Sequence, residues 1–96
     1  MVKISEDFTN CCKVIFEYSI DVLGFSYTFI YGHHVNGGFL CVPRWKWGCE
    51  LSNFPNSLSY NIEKITACGA PIEVAEEIAL HIENFEQNRY RHKFTQ

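Results

Sequence analysis

From Lys13 to Tyr31 apolar and polar residues alternate with period two, and this pattern restricts the fold more than any other feature of the chain. In KVIFEYSIDVLG, Val14, Phe16, Tyr18, Ile20 and Val22 alternate with Glu17, Ser19 and Asp21. Successive side chains of a strand point to opposite faces, so the segment predicts a strand with one buried face. Gly24 marks a turn. FSYTFIY then places Phe25, Tyr27, Phe29 and Tyr31 on one face and Ser26 and Thr28 on the other. Together the two segments predict an antiparallel hairpin.

Asn36-Gly37, within GHHVNGG, is a hairpin dipeptide. FLCVPRW, residues 39–45, is expected to form a third strand. Pro43 has no N–H to give to a ladder, so that strand should lie at an edge or end there. After it the period changes. Leu58, Ile62 and Ile65 recur at helical spacing, with Gly69 as a stop and Pro71 suited to the first position of a second helix. Ile72, Ala75, Ile78, Ala79, Ile82 and Phe85 form the apolar stripe of that helix, and Glu73, Glu76, Glu77, Glu83 and Glu86 are expected mostly on its other side. The basic tail, residues 87–96, is expected to fray, although Arg89, Arg91 and Lys93 suit a helix C-terminus. Residues 1–12 are ambiguous; SEDF can open a helical turn capped by Ser5.

Strands first and helices later, without alternation, is an α+β pattern. The expectation is a single α+β domain over residues 1–96. It has a small antiparallel three- to four-stranded β-meander sheet packed against a C-terminal α-helix, with a shorter helix between. The 96 residues are 47% hydrophobic and 20% charged, which suits a folded globular chain. A net charge of −3 argues against general affinity for nucleic acid or anionic membrane, so no direct nucleic-acid contact is expected. MVKISEDFTN holds no apolar run of signal-peptide length, and no stretch approaches the roughly 18 apolar residues of a membrane helix. A soluble, cytoplasmic protein is therefore expected. Five cysteines, an odd number, then read as reduced thiols, most of them small buried hydrophobes.

Chemistry-bearing patterns are sparse. Cys41 and Cys49 are not a CxxC pair, and His33-His34 is not a helical HxxxH, so neither metal nor cofactor is expected. A zinc site or catalytic thiol built on Cys41 and Cys49 with a histidine is the weakest alternative, because nothing in the sequence brings such groups together. GHHVNGG lacks phosphate-cradle spacing. Glu73, Glu76, Glu77 and Glu83 could form an acidic stripe for a basic partner; a solvated helix face is the plainer account. Arg44, Trp45, Lys46 and Trp47 are the other partner-binding candidates. Rings beside cations stack on bases or anchor protein interfaces, although a tryptophan that closes the open end of a small core explains them equally well.

The order of these parts resembles a family of small uncharacterised proteins, a domain of unknown function, from gut Firmicutes and their mobile elements. The matching segments are GGFLCVPRWKWGCEL at 37–51, SYNIEKI at 59–65 and IEVAEEIALHI at 72–82. The most specific is the run Cys41, Pro43, Trp45, Gly48 and Cys49, and the resemblance covers roughly residues 13–85. Its setting implies a protein that binds and blocks a host machine, such as an anti-CRISPR inhibitor.

The functional expectation is thus a small non-enzymatic protein-interaction module, an inhibitor of a bacterial defence nuclease, whose partner is a nucleic-acid-binding protein or nuclease. The alternative is a small-ligand or nucleotide binder using Tyr27, Tyr31, His33, Trp45 and Trp47. Exposed strand edges and the aromatic surplus also fit a homodimer.

Overall fold

The structure is a computed structural model that describes residues 13–34, 37–43 and 47–95, leaving aside the side chains of His34, Trp47 and residues 92–95. Four strands, β1 (Lys13–Val22), β2 (Phe25–His34), β3 (Gly37–Val42) and β4 (Trp47–Leu51), form one antiparallel sheet in sequence order. Two helices follow, α1 (Leu58–Ala67) and α2 (Ile72–Thr95). The α+β meander read from the sequence is the architecture of the chain.

Both helices lie on one sheet face. α2 packs on β1 and on α1, and α1 packs on β4. Strand alternation sends Tyr27, Phe29, Tyr31, Leu40, Cys49 and Leu51 to this face, where Ile65, Val74, Ala75, Ile78, Ala79 and Ile82 meet them. Burying these side chains is the main stabilising term, about 25 cal/mol for each Å² of apolar surface removed from water.

The turn between β1 and β2 consists of Leu23 and Gly24, with φ of 56° and 79°. Two positive-φ central residues make the turn whose twist matches its flanking strands. Gly24 accepts this freely, whereas Leu23 carries a β-carbon into left-handed space. Another departure from simple alternation lies in β1. Val14 pairs with Gly32 and Phe16 with Tyr31, so Ile15 is an extra residue. This bulge turns Val14 away from the face shared by Phe16 and Ile20. Val14 is exposed, contrary to the unbroken alternation, while Phe16 sits against Phe29, Tyr31 and Phe85.

The expected third strand over 39–45 has other bounds, and of the two alternatives expected at Pro43 it ends there and does not lie at an edge. β3 begins at Gly37 and ends at Val42, immediately before Pro43, and it is an interior strand paired on both sides. Only a proline beyond the last paired residue is compatible with that. Trp47 opens β4, which with β1 forms the two edges of the sheet. Asn36, the segment 1–12 and residues 44–46 lie outside the described residues. The tail expected to fray is instead helical through Thr95. Gly69, at φ 107°, ends the first helical segment as read from the sequence. The Pro71 carbonyl accepts from the Ala75 amide, which places Pro71 as the cap of α2 rather than its first residue.

Leu23 is 56% exposed, so its side chain contributes little to packing. Leu23→Asn should therefore stabilise the protein by about 1 kcal/mol, since asparagine before glycine favours this turn. A higher urea midpoint with an unchanged slope is the expected readout; an unchanged or lower midpoint would contradict the turn assignment.

Candidate functional site

His33 continues the row of Tyr27, Phe29 and Tyr31 by one more alternation, which brings it to the helix-covered face near the end of β2. Opposite lies Glu86 of α2, only 1% exposed. Tyr31 Oη donates to Glu86 Oε2 in a buried hydrogen bond. His33 Nε2 is 2.8 Å from the same oxygen, and Arg89 Nε donates to Oε1 at 2.7 Å. A carboxylate only accepts, so the His33 Nε2 carries the proton of its bond. Burial, and then the Glu86 hydrogen bond, push the Tyr31 hydroxyl far above its ordinary value of 10.0, so it stays a donor. Gly38 makes room for that hydroxyl: a β-carbon there would stand 2.7 Å from Tyr31 Oη.

Glu83, one turn before Glu86, is also buried, at 6% exposure. It accepts from the Asn56 amide at 2.6 Å, the Ser57 amide at 3.2 Å and Gln87 Nε2 at 2.8 Å. Those amides precede α1, whose cap residue Ser57 makes no side-chain cap of its own. Glu83 thus anchors from another helix the chain that enters α1, holding the amide of its cap residue Ser57 and that of Asn56 before it. Asn56, with φ of 68°, takes the left-handed conformation that asparagine tolerates. Asn61, 1% exposed, clamps the other end of the loop: Ser52 N donates to its Oδ1 at 2.9 Å, and its Nδ2 donates to Ser52 O at 3.2 Å. Arg89 Nη2 reaches the Asn53 carbonyl at 3.4 Å.

This clamped loop walls an open cleft of about 690 Å³. Gly37, Gly38, Glu50 and Leu51 line it from the sheet; Ser52, Asn53, Phe54, Asn56 and Ser57 line it from the loop; Ser59 and Tyr60 line it from α1. Phe54 and Tyr60 are 62% and 53% exposed. Among the described residues, no buried side-chain nitrogen or oxygen lacks a partner.

The residues picked from the sequence separate here. Glu73, Glu76 and Glu77 are exposed on the outer side of α2. Glu83, expected in the same acidic stripe, is not on it, because its carboxylate is turned inward onto the Asn56 and Ser57 amides. Glu86 is likewise inside. Spacing carries the signal for both: Val74, Ile78, Ile82 and Glu86 form one i,i+4 row, and Ala75, Ala79 and Glu83 form another. Arg44, Trp45 and Lys46 lie outside the described residues, as does the side chain of Trp47. Tyr27 and Tyr31 are buried in the core and so present no ring to a ligand. Cys41 pairs with Gly48, whereas Cys49 pairs with Leu40, so the two thiols point to opposite sheet faces and cannot share an ion. No group of three metal-ligating side chains gathers among the described residues, and no helix there is long and apolar enough to cross a membrane. The cleft residues Phe54 and Tyr60 were missed, since nothing in their spacing marks them as exposed neighbours.

The chain matches a family of unknown function (DUF6618) over residues 4–89. It belongs to that family. The segments quoted for the resemblance all fall within the matched span, which takes in the sheet, α1, the cleft and α2 as far as residue 89. No curated protein and no solved structure matches the chain significantly.

Gly38→Ala should destabilise the protein by about 1–3 kcal/mol, by forcing the Tyr31 hydroxyl off a buried carboxylate; a urea midpoint within error of the parent would contradict the contact. A second expectation concerns pH. Burial pushes Cys41 up to about 11 from 9.0 and pushes Cys49 and Tyr31 up as well. A value raised by folding contributes stability that is complete below the unfolded value and lost as pH rises. Stability should therefore fall from about pH 9 upward, by at most about 1.4 kcal/mol per pH unit for each group. Tyr31→Phe should flatten the fall above about pH 10, as followed by urea denaturation at stepped pH; an alkaline profile unchanged in that variant would contradict the assignment.

Proposed function

We propose that this domain is a binding module that acts by occupying a protein partner, with the cleft beside α1 as its principal contact surface. The observation that carries the reading is the exposure of Phe54 and Tyr60 on a wall that is otherwise fixed by hydrogen bonds. Aromatic side chains are favoured anchors at protein interfaces. A wall already held in one shape loses little conformational freedom on binding.

The charge favours a basic partner. The net charge is −3, and Glu73, Glu76 and Glu77 stand on the outer face of α2 beside exposed Ile72 and Leu80. Mixed acidic and apolar surface of this kind suits a protein whose own ligand is polyanionic, because such proteins carry basic grooves. An inhibitor of a bacterial defence nuclease is the specific form of the proposal. The cleft volume also falls in the range of small-ligand sites, so a nucleotide-sized ligand held between Phe54 and Tyr60 is the second reading.

The test titrates CRISPR-type and other defence nucleases with the protein and its variants. Inhibition by the parent is expected, weakened about tenfold or more in Phe54→Ala/Tyr60→Ala and also weakened in Glu76→Lys/Glu77→Lys. Full nuclease activity at a large excess of parent protein would remove the inhibitor reading. Nucleotide-induced chemical-shift changes confined to the cleft, in the same preparation, would replace it with the ligand reading.

A further inference from the structure

The two edges of the sheet are covered unequally. At the β4 edge α1 packs on the strand, and the inward-facing Cys49 and Leu51 are buried. At the β1 edge the inward row is left open. Tyr18 stands opposite Phe29, on the helix-covered face, yet it is 43% exposed. Phe16 and Val22 of the same row are only half-buried, and Val14, beyond the bulge, is exposed. His81 of α2 stacks on the Tyr18 ring at 4.2 Å between centroids, so the helix meets this strand without covering it. No described strand pairs with the outer side of β1. Such an edge presents a row of amides and carbonyls that another extended strand satisfies in register.

Charge decides which strand fits. Two antiparallel copies related by a two-fold axis set one residue opposite its own copy, with the helices of both on the same face. The bulge at Ile15 confines regular pairing to residues 16–22. Centring on Glu17 sets two carboxylates face to face, and centring on Ser19 sets Glu17 against Asp21 on each side of the axis. Like charges directly opposite are destabilising. Centring on Ile20 leaves Phe16 unpaired and puts at the axis a residue that is already buried. Centring on Tyr18 places the two exposed tyrosines against one another, Phe16 against Ile20 and Glu17 against Ser19. Aromatic pairs and aromatic–β-branched pairs are among those that stabilise a sheet.

We propose that a second copy of this chain pairs antiparallel along β1 with Tyr18 on the two-fold axis, joining two four-stranded sheets into one. The dimer covers Tyr18 and closes the β1 edge to other chains. The cleft lies at the opposite edge, beside β4 and α1, so both copies keep it open. Pairing therefore holds whether or not the cleft binds a partner.

Sedimentation of the full chain over a concentration series tests this. The parent should approach twice the mass of the chain, with a Kd of about 1–100 μM, the range of a small interface. Tyr18→Lys sets like charges on the axis and should weaken the dimer about tenfold or more. Ser19 reports the register. Ser19→Glu faces the Glu17 of the second copy on both sides of the axis and should weaken the dimer about tenfold or more, whereas Ser19→Lys should not weaken it. Ser19 is exposed, as is its 2.9 Å contact with Thr28, so both of its variants should keep the parent's circular dichroism. A parent that stays monomeric up to about 1 mM overturns the proposal. So does a dimer that either Tyr18→Lys or Ser19→Glu leaves unchanged, or one that Ser19→Glu and Ser19→Lys weaken alike.

Discussion

A carboxylate with 1% exposure is the constraint around which this domain is arranged. Moving such a group out of water costs several kcal/mol unless its oxygens are well supplied with donors. Glu86 receives Tyr31 and His33 from β2 and Arg89 from its own helix. The two donors from the strand lie on one face because they are two residues apart, which is the strand period. The requirement fixes more than one contact. Sliding α2 along the sheet by a turn would leave Glu86 against apolar rings, and a side chain at residue 38 would displace the tyrosine hydroxyl. Apolar packing alone has no comparable penalty for a shifted register. The polar cluster thus selects one docking of helix on sheet, and apolar burial provides most of the stabilisation.

The same helix carries this precision to the surface. Glu83 holds the amides before α1, and Arg89 bridges from Glu86 to the Asn53 carbonyl. The loop over residues 52–57 is therefore held by side chains of both helices as well as by its own Ser52 hydroxyl, which bonds Ser57 and accepts from the Phe54 amide. Rigid scaffolding under an exposed aromatic pair is the arrangement that a recognition surface uses.

Much of the architecture was legible because it follows from local periodicity. Period two over residues 13–31 and the i,i+4 rows of the last helix require no knowledge of long-range contacts. Gly24 and Gly69 mark turns by backbone freedom that other residues lack. What escaped depends on partners distant in sequence. The bulge at Ile15 is set by which residue of β2 stands opposite, and the interior position of β3 follows from a strand that forms after Pro43. The candidate site escaped for a chemical reason. Glutamates on a helix are solvated in most settings, and the charge of Glu83 and Glu86 outweighed their spacing on the apolar rows. Arg89 and Gln87 supply one local donor each, and donors more than 20 residues away, Tyr31 and His33 for Glu86 and the Asn56 and Ser57 amides for Glu83, complete the two sites.

The central claim, that the Glu86 carboxylate and the Tyr31 hydroxyl act as one unit in docking α2, is tested most directly by a double-mutant cycle. Tyr31→Phe, Glu86→Gln and the double variant would be unfolded in urea near neutral pH. Each single change should destabilise the protein by about 1.5–3 kcal/mol, and the double should cost less than their sum by about 1 kcal/mol or more. Effects that add to within about 0.5 kcal/mol would show the two groups to be independent and would contradict the account.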